Sequence, residues 1–152
     1  MASKAISGDE LAFGRAVLLA TDALGMSAEG AFWLRGKDGR WTYFLVTSLF
    51  NRIGAREMYL RLNLALAKIL SNREIQDFTF CIAAPRERIV KDIRRIIKTG
   101  RYSSEPSAKS VMIANTKVKA VIYRMATSLD TPNVRRVQRR FRRRTNELRA
   151  AA

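Results

Sequence analysis

Residues 30–48 constrain the fold more than any other stretch of this chain. Gly30-Ala-Phe-Trp-Leu34 has strand composition, Gly36-Lys-Asp-Gly39 carries the turn dipeptide Asp38-Gly39, and Arg40 to Ser48 reads as the return strand. Asp and Gly both tolerate positive φ, which a tight hairpin needs at its tip. In the return strand Trp41, Tyr43 and Leu45 alternate with Phe44 and Val46. Both faces are apolar, so the sheet must be covered on both sides, by helices or by a second subunit. A homodimer and a monomer with helices on both faces fit the pattern equally well.

The remaining segments supply helices and further strands. Ser7 and Glu10 have capping-box spacing, Leu11, Val17, Leu18 and Leu24 can form an apolar face, and Gly25 can end the helix. Met58, Leu62, Ala65, Leu66 and Ile69 recur at helical spacing over residues 55–70. Phe78 to Ala84 reads as a buried strand, and Pro85 is placed to open the next helix. That helix, residues 86–98, should bury Ile89, Ile93, Ile96 and Ile97, with Gly100 as its cap. A polar loop over 101–109 then leads to strands Val111 to Ala114 and Val118 to Met125, joined by a turn at Asn115-Thr116.

The pattern predicts an α+β (mixed α/β) fold, a single sheet of about five strands with three helices. The order is helix, two strands, helix, strand, helix, two strands. Residues 1–126 would form the globular domain and 127–152 an arginine-rich C-terminal helical arm.

Charge separates the two parts. The net charge is +16, and most of the excess lies after residue 85. Thr131-Pro132 is a helix-start signature, followed by a narrow apolar stripe of Val134, Val137, Phe141 and Leu148. Arg135, Arg136, Arg139, Arg140, Arg142, Arg143 and Arg144 occupy most of the remaining circumference. Such a helix repels itself at i,i+3 and i,i+4, with Glu147 as local relief, so it needs docking or an anion to become ordered. The guanidinium fork suits phosphate bidentately, which points to a nucleic acid, DNA or RNA, gripped through its backbone. An acidic protein surface is the alternative partner. Anionic lipid fits less well, because Phe141 is the one aromatic on the arm, and a solvated end without a ligand is the bland reading. Arg94, Arg95 and Lys98 on the third helix would extend the phosphate-binding patch if the fold brings them to the arm.

The chemistry inventory argues against catalysis. The chain has no histidine, which removes Ser-His-Asp and Cys-His mechanisms and the commonest zinc ligand. The lone Cys81 can form neither a structural zinc site nor an internal disulfide, and lies in a buried-strand pattern. No phosphate-binding glycine-lysine loop and no dinucleotide fingerprint occurs. Asp77, Glu87 and Asp92 are the carboxylates weighed for a metal-dependent nuclease, but no spacing nominates a pair. The expectation is a non-catalytic protein without metal or cofactor. The N-terminal apolar run is preceded by Asp9 and Glu10 and broken by Asp22, unlike a signal peptide, and nothing approaches a transmembrane segment. The expected location is cytoplasmic.

Overall fold

The hairpin forms as its turn chemistry requires. In the computed structural model, which describes residues 5–70, 78–97, 99, 103–126 and 134–151, β1 (Gly30–Arg35) pairs antiparallel with β2 (Trp41–Val46). Gly39 sits at φ 82°, where a side chain would be strained, and the Asp38 carboxylate accepts from the Arg40 N–H at 3.0 Å. β2 pairs parallel with β3 (Thr79–Ala83), and β5 (Thr116–Met125) pairs antiparallel with both β1 and β4 (Ser107–Ile113). The result is one mixed sheet in the order β3-β2-β1-β5-β4. Ala114 and Asn115 both have positive φ, 49° and 66°, and close the β4–β5 turn.

Among the described residues there are five helices, and the fold is α+β. They are α1 (Gly8–Ala23), α2 (Leu49–Ile53), α3 (Ala55–Ile69), α4 (Arg88–Ile96) and α5 (Val134–Ala150). The capping box at Ser7 and Glu10 starts α1. Just past its end, Gly25 takes φ 80°. The short α2, in a stretch to which the sequence pattern assigns no element, is set off from α3 by Gly54 at φ 93°.

Both sheet faces are covered, as the alternation in β2 demands. On one face Trp33, Tyr43, Leu45, Val121 and Tyr123 pack with Val17 and Leu18 of α1, Met58, Leu62 and Leu66 of α3, and Val137 and Phe141 of α5. On the other face Phe32, Leu34, Val46 and Ile122 pack with Val90 and Ile93 of α4. The arginine-rich helix is thus docked through its apolar stripe into the larger of the two cores.

Four local expectations are corrected. Pro85 does not open α4; residues 85–86 form a turn, and the helix begins at Arg88, with the Glu87 carboxylate accepting from the Ala84 N–H. The buried arc of α4 takes in Val90, Ile93 and Arg94, leaving Ile96 55% exposed. At the end of α3, Ile69 is 45% exposed rather than buried. β3 is a sheet edge on which Phe78, Phe80 and Cys81 are only half-buried. Lys98, Gly100, Asp77 and Thr131-Pro132 lie outside the described residues. No helix among the described residues is long and apolar enough to cross a membrane.

Candidate nucleic-acid interface

The arginines of α5 divide by their angular position. With Val137, Phe141 and Thr145 turned inward, 100° per residue places Arg140 and Arg144 on one flank, Arg142 on the other, and Arg135, Arg136, Arg139 and Arg143 outward. Burial follows this division: the four outward residues are exposed and the three flanking ones are partly buried.

The flanking arginines hold the helix down. Arg140 donates to the Gly25 carbonyl at 3.0 Å and 3.3 Å, and Arg144 to the Ala23 carbonyl at 2.7 Å. These carbonyls lie at the C-terminal end of α1, which has no basic residue in its own last turn. Guanidinium groups from α5 therefore meet the negative end of the α1 dipole. On the opposite flank Arg142 reaches the Glu57 carboxylate at 3.0 Å, and Arg61 bridges from the same carboxylate to Thr145 and Asn146 at 2.9 Å and 2.8 Å. The hydrogen bond from Arg142 holds the Glu57 pKa below the ordinary glutamate value against the opposing effect of burial. Lys68 donates to the Leu148 carbonyl and to that of Arg149, satisfying the C-terminal end of α5.

The outward face remains basic. Among the described residues Arg135, Arg136 and Arg139 have no hydrogen-bond or ion-pair partner, and Arg143 meets Glu147 only at 4.0 Å, with both side chains largely exposed. Arg135, Arg139 and Arg143 follow one another at i,i+4, rising about 6 Å per step. Arg52 of α2 stands beside them, donating to Gln138 at 2.9 Å. Sequence periodicity could not have placed Arg52, Arg61 or Glu57 against α5, because these contacts span more than eighty residues.

The third-helix residues do not join this face. Arg95 is exposed, but α4 covers the opposite side of the sheet from α5. Arg94 is 8% exposed, and its Nε, Nη1 and Nη2 are buried without a hydrogen-bond partner. Burial lowers its pKa and the nearby Glu29 charge works the other way, but a guanidinium keeps its proton. Trp33 and Trp41 are buried, with Trp33 donating to the Tyr123 hydroxyl at 3.2 Å, so neither offers a stacking surface.

Other chemistry is sparse. Among the described residues no group of three or more His, Cys, Asp or Glu could hold a metal ion. Asp92 accepts from the Ala114 N–H at 3.3 Å and faces Arg88 at 3.9 Å. Burial, with the Glu87 charge adding to it, pushes the Cys81 thiol pKa up, away from a reactive thiolate. A cavity of about 370 Å³ lined by Ile6, Trp41, Ala108, Lys109, Lys119 and Val121 lies near the N-terminal end of α1, whereas α5 contacts its C-terminal end. The chain matches no known protein family, no curated protein and no solved structure.

Proposed function

We propose that the outer face of α5 binds the phosphate backbone of nucleic acid, without catalysis and without reading base sequence. The observation that carries this reading is the arc of four exposed arginines on a helix held in place by the domain beneath it. Docking matters energetically. Folding, not binding, meets the entropy of ordering the helix and part of the repulsion among its charges, so contact with phosphate does not have to nucleate it. Arginine donates in a fixed fork that matches phosphate oxygens, and a row at i,i+4 offers one fork per helical turn. No aromatic among the described residues is exposed, which favours contacts to phosphate over stacking on unpaired bases.

Binding to duplex DNA and duplex RNA, measured across salt concentration, tests the proposal. Four phosphate contacts to B-DNA give a slope of about −4 for log affinity against log salt. Replacing Arg135, Arg136, Arg139 and Arg143 together by Gln should remove most of that slope and leave the thermal midpoint unchanged or raised. Substitution is the right test, because truncation would also strip Val137 and Phe141 from the core. Salt-independent binding, or none, overturns the reading. Binding to polyglutamate but to neither duplex would favour the acidic-protein partner instead.

A further inference from the structure

The buried guanidinium of Arg94 lies at a particular place in the topology. β2 and β3 are adjacent and parallel. The chain leaves β2 for α2 and α3 on one face of the sheet, and leaves β3 for α4 on the other. Where neighbouring parallel strands send their connections to opposite faces, a crevice opens at their carboxyl ends, the usual ligand position in open α/β sheets. Thr47, Glu29 and Arg94, three of the buried polar residues, are associated with this end of the sheet. Thr47, just past β2, donates its N–H to the Ala83 carbonyl at 3.0 Å. Glu29, 5% exposed, accepts from the Ser48 N–H at 3.1 Å and from the Ser48 hydroxyl. Arg94 lies within the electrostatic reach of Glu29 but donates no hydrogen bond to it.

An ionised group buried without a hydrogen-bonding partner is costly, and chains retain such groups where something else completes them. Arg94 could have faced solvent on α4, as Arg95 does; instead the helix turns Ile96 outward and Arg94 inward. Glu29 supplies a counter-charge while its carboxylate is engaged by Ser48, so the fork of Arg94 is left open. We propose that Arg94 anchors a small oxyanion, a phosphate or carboxylate group, in the crevice at the carboxyl ends of β2 and β3. The fork would take two oxygens of the anion in parallel hydrogen bonds. Because the guanidinium is sealed from solvent, entry requires a local opening of the crevice. Exchange between free and bound protein should then be slow.

The test uses the full chain labelled with nitrogen-15, with inorganic phosphate and acetate as separate probes. Arg94 Nε–H, identified by its absence from the Arg94→Lys spectrum, should give a second, saturable peak on adding one probe, and the thermal midpoint should rise in step. Whichever probe acts tells a phosphate site from a carboxylate site. Arg94→Met should weaken that probe by about 30-fold or more. In the absence of probe it should not lower the midpoint, since the buried guanidinium makes no hydrogen bond and Glu29 keeps those from Ser48. The Gln substitutions at Arg135, Arg136, Arg139 and Arg143 should keep the response, which separates this site from the face of α5. A response kept by Arg94→Met, or an Arg94 Nε–H unmoved by either probe, overturns the proposal. Salt-dependent duplex binding by Arg94→Met tests the α5 reading independently.

Discussion

At Gly14, α1 lies close against side chains of the sheet. A Cβ added there would meet the Tyr123 hydroxyl at 2.6 Å and Trp33 Nε1 at 2.7 Å. Those two groups are hydrogen-bonded to each other, Tyr123 donates to the Leu11 carbonyl at 2.7 Å, and Tyr43 donates to Gly14 itself at 2.9 Å. Burial raises the Tyr43 pKa well above its ordinary value and that of Tyr123 to about 12, so both stay neutral donors across physiological pH. Gly14→Ala should therefore destabilise the fold by about 1–3 kcal/mol, read as a lower urea midpoint with an unchanged m-value. Glu57 gives a prediction of the opposite kind, in charge rather than volume. Its folded pKa lies below its unfolded value of about 4.3. Its contribution is thus fully present above that unfolded value and is lost as pH falls through the folded one. Both partners are more than a third exposed, so the pair contributes no more than about 1 kcal/mol. The stability difference between wild type and Glu57→Gln should be present at pH 6 and vanish at strongly acidic pH; a difference that persists there would exclude the ion pair as its cause.

At the level of elements, the sequence was legible where one period governed both burial and chain direction. The β1–β2 hairpin, α1 with its capping box, α3 and the apolar stripe of α5 all follow from alternation, 3.6-residue spacing and turn chemistry. β4 is different. Its first half, Ser107 to Ser110, is polar and exposed, so composition reads as loop, although pairing with β5 makes it strand. α4 misled in rotation rather than in existence. Its isoleucines mark a stripe, yet which of Arg94 and Ile96 turns inward depends on how α4 lies against the sheet, a long-range contact with no local signal. The candidate interface was legible as a composition, while its division into anchoring and outward arginines depends on where α1 and α3 lie. Phe141 is fully buried at the centre of the stripe. Phe141→Ala should cost about 3–5 kcal/mol. Because α5 belongs to the main core, the loss should appear in global unfolding as well as in faster amide exchange along α5; exchange confined to α5 would mean that the helix unfolds separately.

Across the whole molecule, the two faces of the sheet carry positive charge for different reasons. On the α5 face, basic residues are partitioned, some tying the helix to α1 and α3 and some pointing out. On the α4 face, Lys91 and Arg95 are exposed, but the helix also carries Asp92, which Arg88 approaches at 3.9 Å. With a net charge of +16, the long-range field attracts polyanions from any direction, so weak encounter alone cannot show which face holds them. Phosphate contacts can, because each one adds its own increment to the salt slope, whereas the diffuse field is screened within about 10 Å at 0.1 M salt. Two charge-matched variants separate the cases. Lys91→Glu with Arg95→Glu, and Arg135→Glu with Arg139→Glu, change the net charge equally on opposite faces of one sheet. If α5 is the interface, the second pair should lower the magnitude of the slope by about 2, since each lost contact removes close to one unit. The first pair should leave the slope nearly unchanged and weaken binding only modestly at low salt. Equal effects from both pairs would mean that net charge alone holds the polyanion and that the ordered arc of arginines has no special part in it.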